Sequence, residues 1–193
     1  KFSMSKANKG RGLFIFLCII AFLLSFVGSA IFKITYTPRK MRKYTVNWSD
    51  EIGKAYPDLS YGEGAANKFD LYVPTDNSKD TYGLIVYLHA GGFTSGDKSD
   101  DAKMLQWLCS LGYVTAGINY TLAFSEENPN ANIYTQSMEI KESLPSIIKE
   151  AEALGYNTDR MAISGGSAGG CLALIYAYRD AKDSPVPVRM LLQ

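Results

Sequence analysis

The stretch Met161-Ala162-Ile163-Ser164-Gly165-Gly166-Ser167-Ala168-Gly169-Gly170 decides how the rest of this 193-residue chain is read. Its first four residues are β-prone, and the apolar run to Tyr178 that follows it has helical character, so the segment predicts strand, tight turn and helix. The turn carries the pattern G-x-S-x-G from Gly165 to Gly169. Where a strand reverses this sharply into a helix, the central Ser is held in strained dihedral space. Its neighbours two positions away must lack side chains so that the two backbones can approach. The Ser167 hydroxyl is thereby projected above the sheet edge. The Ala168 amide and the helix N-terminus point toward any oxyanion that develops there. Three fixed positions alone recur by chance in roughly one chain in twenty of this length, so the surrounding sequence has to support the reading.

It does so 78 residues upstream, where His89-Ala90-Gly91-Gly92-Phe93 follows the apolar run Leu84–Leu88. Glycines directly after a strand leave amide hydrogens exposed and let a carbonyl come close, which supplies the second half of an oxyanion hole. Further strands are expected at Phe69–Val73, ended by Pro74, at Tyr113–Asn119, at Arg160–Ser164 and at Val188–Leu192. Between them lie helical patterns. One is capped by Ser99 or Asp100 and runs through Leu111. A second spans Gln136–Leu154 with Pro145 as a kink, and a third spans Ala168–Tyr178. Strands alternating with helices of this length imply an α/β fold with a mostly parallel sheet flanked by helices.

The N-terminal part is physically different. Residues 1–43 hold nine of the 20 basic residues and none of the 19 acidic ones, so the net charge of +1 hides a basic segment followed by an acidic one. That balance excludes a strongly basic nucleic-acid binder, and 47% hydrophobic with 12% aromatic residues excludes disorder. After a basic flank at 1–12, the run Leu13–Phe32 has no charge and no Pro, enough to cross a hydrocarbon core of ~30 Å. A helix over 13–34 is expected as an uncleaved single-pass anchor, with a signal peptide cleaved near Gly28-Ser29-Ala30 as the alternative. Residues 35–57 then read as a polar connector containing Pro38 and Pro57, with Arg39, Lys40, Arg42 and Lys43 able to touch anionic headgroups if that side faces the cytoplasm. Cys18, Cys109 and Cys171 lack disulfide or metal spacing and read as small buried hydrophobes.

From Asp58 to Gln193 the chain resembles the α/β-hydrolases of the hormone-sensitive-lipase and feruloyl-esterase or carboxylesterase type. The resemblance is carried by Asp58-Leu59-Ser60-Tyr61-Gly62, Phe69-Asp70-Leu71-Tyr72-Val73-Pro74, the His89 turn, Asn119-Tyr120-Thr121-Leu122-Ala123, Asp159-Arg160 and Gly165–Gly170. It implies Ser167 as the acyl-forming nucleophile and the amides of Gly91, Gly92 and Ala168 as the oxyanion hole. His89, Gly165 and Gly169 are motif-supporting, and no metal or other cofactor is implied. Ala90 and Thr121 depart from the family's Gly and Arg without removing an amide donor. Phe93 and Tyr120 are expected to line a substrate pocket, with Phe124 beside them.

The family places an Asp or Glu and then a His after the nucleophile. Here only Asp180 and Asp183 follow Ser167, both read as solvated loop charges, and the chain's single His precedes it. The expectation is the N-terminal two-thirds of an esterase, partial over 58–193 and inactive by itself, acting in full on small-molecule esters from a membrane-anchored, extracytoplasmic position. A hydrolase-fold binding protein without a base is the rival, and a serine peptidase or arylformamidase is the runner-up among enzymes.

Overall fold

The computed structural model describes residues 5–35, 44–126 and 128–192. The chain divides into two compact units, Lys1–Lys43 and Tyr44–Gln193. The first contains helix α1, Ser5–Thr35. Within it Gly10–Lys33 forms a 24-residue stretch of mean hydropathy 2.7, long and apolar enough to cross a membrane. Cys18 is exposed on this helix, which corrects its reading as a buried residue. The basic cluster Arg39, Lys40, Arg42 and Lys43 lies outside the described residues.

The second unit is built on a six-stranded sheet: β1 Gly53–Ser60, β2 Lys68–Pro74, β3 Tyr82–Leu88, β4 Val114–Ile118, β5 Thr158–Gly165 and β6 Val188–Leu192. The order across the sheet is β1-β2-β4-β3-β5-β6. β4, β3, β5 and β6 are parallel, while β2 pairs antiparallel with both β1 and β4. Helices α2 Ala102–Ser110, α3 Ile133–Ala153 and α4 Ala168–Ile175 complete the α/β arrangement.

Period-two alternation assigns the faces. Phe69, Leu71 and Val73 of β2, Leu84, Val86 and Leu88 of β3, and Val114, Ala116 and Ile118 of β4 share one core with Ile140, Leu144 and Ile147 of α3 and Leu172 of α4. The intervening residue Tyr72 faces the other way, packing with Leu105 and Cys109 of α2 and with Trp48. Thr115, also of that parity, donates its hydroxyl to the Leu105 carbonyl at 3.1 Å. Burial pushes the Cys109 thiol up to about 12, so it behaves as a small hydrophobe.

Several boundaries differ from the sequence reading. β1 occupies part of the stretch expected as connector. Pro57 suggested a break there, but β1 is an edge strand whose register shifts between Tyr56 and Leu59, and a bulge on an edge tolerates Pro. α3 begins at Ile133, before Gln136, because Asn132 caps it, accepting from the amides of Tyr134 and Thr135. Ile133 and Tyr134 are exposed, so apolar periodicity does not reach them. The helix runs through Pro145. The cap upstream of α2 is Asp97, which opens a short 3₁₀ turn at Lys98–Asp101 and forms a capping box with Asp100. α4 ends earlier than expected, passing into a wider π-type turn at Tyr176–Asp180.

The bulge of β1 is held by a buried cation. Lys98 Nζ lies 2.8 Å from Asp58 and 3.1 Å from Asp70, and the Asp58 amide donates to Asp70 at 2.9 Å. Burial disfavours the Lys98 ammonium, but the two carboxylates outweigh it and its pKa is raised. Removing one partner of a buried pair leaves the other charge uncompensated. Lys98→Met is therefore expected to lower unfolding free energy by about 3 kcal/mol, and adding Asp70→Asn to recover most of it. Urea denaturation of the parent, the two single variants and the double variant checks this, and equal losses from Lys98→Met with and without Asp70→Asn would refute the pairing.

Candidate active site

β3 and β5 are parallel neighbours with Leu88 opposite Gly165, so the two glycine-rich turns leave the sheet side by side. The Gly166 amide donates to the Leu88 carbonyl at 3.2 Å. A Cβ on Gly169 would meet the carbonyl oxygens of Leu88 and His89 at 2.0 and 2.6 Å, and one on Gly165 would meet the Gly169 backbone at 2.3 Å. The reason for glycine at both positions is therefore backbone-on-backbone contact. It joins strand to helix within one turn, and joins that turn to its neighbour.

Ser167 stands at the N-cap of α4 with φ 47° and ψ −109°, and its side chain makes no capping bond. A residue with a side chain keeps such a conformation only when its surroundings hold it. Here β5, the buried residues Ala168 to Gly170 and the Leu88 contact do so, and the hydroxyl-bearing residue is left exposed. Ala168 is the first residue of α4, so its amide belongs to the group that has no intrahelical acceptor.

The other turn has three consecutive positive φ values, 134° at Gly91, 60° at Gly92 and 68° at Phe93. A Cβ on Gly91 would fall 1.8 Å from the Ser95 carbonyl, whereas one on Gly92 would meet open space. The Gly91 carbonyl accepts from the amides of Thr94 and Ser95 and from the Ser95 hydroxyl, which curls the loop back on itself. Among the described residues the Gly92 amide donates to no carbonyl.

His89 is enclosed under this turn. Its ring stacks on Tyr120 at 4.3 Å between centroids, Nδ1 lies 2.8 Å from the Ala90 carbonyl, and Nε2 is buried without a partner among the described residues. Tyr120 is 1% exposed and its hydroxyl donates to the His89 carbonyl at 2.9 Å. Ring and hydroxyl both support the turn, and no open surface remains, which corrects the expectation that Tyr120 lines a pocket. Phe93 is half-buried and packs on the core. Phe124 is 83% exposed.

Polar groups tie the far end of the loop to β4. Asp97 accepts from the Ser99 amide at 2.8 Å and from Asn119 Nδ2 at 2.7 Å, while Asn119 Oδ1 accepts from the Lys98 amide at 2.6 Å. Burial would raise the Asp97 pKa, but these hydrogen bonds and the Lys98 charge bring it down to about 2. Two residues of α3 that the sequence reading passed over also belong to this support. Glu139 accepts from the Thr121 amide and hydroxyl at 2.7 and 2.6 Å, and Gln136 donates to the carbonyls of Phe93 and Thr121. Both sat in a helical pattern as unremarked polar positions. The one available signal was that they fall three residues apart, on one face.

Asp180 corrects a further expectation. It is buried, 2.6 and 2.9 Å from the guanidinium nitrogens of Arg179 and 3.4 Å from Lys141. Burial would raise its pKa, but the neighbouring cations outweigh this and lower it. Asp183 remains exposed. An apolar groove of about 390 Å³, lined in part by Leu84, Ile85, Leu108, Tyr113, Met161 and Met190, lies away from the turns beside the earlier residues of β3 and β5. Among the described residues no group of three metal-ligating side chains occurs.

The fold has relatives among known proteins. The family model BD-FAE matches residues 69–186. Kynurenine formamidase of Salmo salar is 29% identical over 123 residues, 64% of this chain and 38% of that protein. The probable carboxylic ester hydrolase LipM of Mycobacterium tuberculosis is 30% identical over 123 residues, 62% of this chain and 27% of that one. Among solved structures, an inhibited form of esterase B from Lactobacillus rhamnosis superposes with a TM-score of 0.62 at 20% identity, covering 90% of this chain and 56% of that one. The chain thus spans about a third of the length of these two sequence relatives.

The glycine contacts give a direct test. Gly169→Ala drives a Cβ into two carbonyls and is expected to cost more than about 3 kcal/mol. Gly92→Ala meets no atom and bears only the left-handed conformation, about 1–2 kcal/mol. Urea midpoints of the two variants should differ in that order, and equal midpoints would contradict the close approach of the turns.

Proposed function

We infer the chemistry of this chain from its fold and its family: it belongs to the BD-FAE family, an esterase- and lipase-like group of α/β-hydrolases. In this reading Ser167 is the nucleophile of a serine hydrolase of carboxylic esters. The observation that carries it is the exposed Ser167 in a strained turn packed against a second turn of positive φ. Ser167 Oγ attacks the ester carbonyl carbon, and the carbonyl oxygen gains charge as the tetrahedral intermediate forms. The amides of Gly91, Gly92 and Ala168 stabilise that charge. Collapse expels the alcohol and leaves an acyl-enzyme, and water then releases the acid. Phe93, beside the oxyanion amides, is the pocket residue of this reading, and His89 shapes the turn. His89 is buried against Tyr120 and the Ala90 carbonyl, so in this reading it is not the general base. Without a base, a Ser hydroxyl loses on the order of 10⁴–10⁶ in rate.

The likeness to kynurenine formamidase supports a second reading, hydrolysis of an N-formyl aryl amide, by the same acyl transfer. A further part of the proposal is that α1 anchors the protein in a membrane as a single span, with the hydrolase unit extracytoplasmic. The 24-residue apolar stretch Gly10–Lys33, charged only at Arg11 and Lys33 near its two ends, supports the span. At ~1.5 Å per residue it reaches about 36 Å, longer than the hydrocarbon core.

A fluorophosphonate probe tests the nucleophile. One phosphonyl adduct is expected, on the peptide containing Ser167, and Ser167→Ala should abolish it. Labelling that persists in that variant, or its absence from the full-length protein, would refute the assignment and favour a non-catalytic binding role. For the anchor, the protein is expected to stay in the membrane pellet through an alkaline carbonate wash and to lose that property when 10–33 is deleted. Release of the intact protein would refute it.

A further inference from the structure

Phe93 presents a conformational problem that its neighbours solve. It follows two glycines in left-handed backbone space but carries a side chain, and φ 68° is strained for such a residue. Its carbonyl is gripped from two sides, by the Ala123 amide at 2.8 Å and by Gln136 Nε2 at 2.9 Å. The second hydrogen of the same Nε2 goes to the Thr121 carbonyl, also at 2.9 Å. One carboxamide nitrogen therefore joins the Gly91–Phe93 turn to the segment that leaves β4.

The rest of Gln136 shows what the amide is for. The residue is 0% exposed, and its Oε1 is buried with no partner among the described residues. An apolar side chain of similar size would fill the space without desolvating an unpaired oxygen, so packing alone gives no reason for an amide here. What the amide supplies is two donors aimed at two carbonyls. Glu139, three residues along the helix, takes the Thr121 amide and hydroxyl and also Asn67 Nδ2 at 3.2 Å. Residue 121 is thus held through both its amide and its carbonyl by α3, and Gln136 extends that rigid support to Phe93.

We propose that Gln136 is a positioning residue, whose carboxamide holds the Gly91–Phe93 turn in the left-handed conformation that presents its amides to the substrate oxyanion. The catalytic half of this statement rests on the reading of Ser167 and the oxyanion hole given above. The structural half, that Gln136 holds the turn, stands by itself.

The experiment uses the full-length protein with Gln136→Met, which keeps length and removes both donors, and Gln136→Leu as a second variant. Hydrogen exchange followed by mass spectrometry should show residues 91–95 exchanging about tenfold faster or more, with β3 and β5 unchanged. Inactivation by the fluorophosphonate should slow about tenfold or more in its limiting rate, at unchanged half-saturating concentration, because misplaced donors affect the transition state and not ground-state binding. In a Phe93→Gly background, where the left-handed turn carries no strain, the same substitution should cost less than about threefold. Unchanged exchange at 91–95 in both variants overturns the clamp. Equal losses in the two backgrounds, or faster exchange throughout the sheet, overturn it in favour of general destabilisation. If the parent protein does not react at Ser167, the catalytic reading falls, and exchange at 91–95 still decides the clamp.

Discussion

The two turns are locked together by the passage of the Gly169 backbone over the carbonyls of Leu88 and His89. No side chain fits between them, so the turn after β5 and the turn after β3 are effectively one object. That contact depends on the parallel pairing of β3 with β5, which places Leu88 opposite Gly165. The strained dihedrals of Ser167 are a consequence, since a chain that must pass this close and begin a helix at Ala168 has no relaxed path.

Around this contact the protein uses polar groups where a core of this size would ordinarily use apolar ones. Asp97 and Asn119 join the end of the His89 loop to β4, and Lys98 joins the residue beside it to β1 and β2 through two carboxylates. Gln136 and Glu139 do the same from α3. Apolar contacts are non-directional and tolerate small sliding, whereas a hydrogen bond fixes a carbonyl or an amide to within a few tenths of an ångström. Where backbone amides are to meet a developing charge, direction is what matters. The two sides of the sheet therefore differ in character. The α3 and α4 side carries the large core and the support of the turns, while the α2 side carries a smaller cluster around Tyr72, Leu105 and Cys109.

Much of the fold was legible because periodicity and turn chemistry are local. Leu84–Leu88, the Gly165–Gly170 turn and Val188–Leu192 are each recognisable from a few neighbouring residues. The readings that failed share one cause. Pro57 signals a break by itself, and only the edge position of β1 and its bulge make it compatible with a strand. Tyr120 is an aromatic beside a turn, and nothing local says that its ring lies on His89. Asp180 looks like a loop carboxylate until Lys141, distant in sequence, is brought beside it.

The sequence by itself determined the order of elements from β2 onward, the α/β class, the apolar N-terminal helix and the two turns, because steric and hydrophobic preferences act over a few residues. Tertiary structure alone decided that the two turns touch, that His89 and Tyr120 are enclosed, and that Gln136 and Glu139 hold the loop. Those facts depend on groups 15 or more residues apart in the chain meeting at hydrogen-bond distance. Such a meeting is set by strand register and helix packing, which no local pattern encodes.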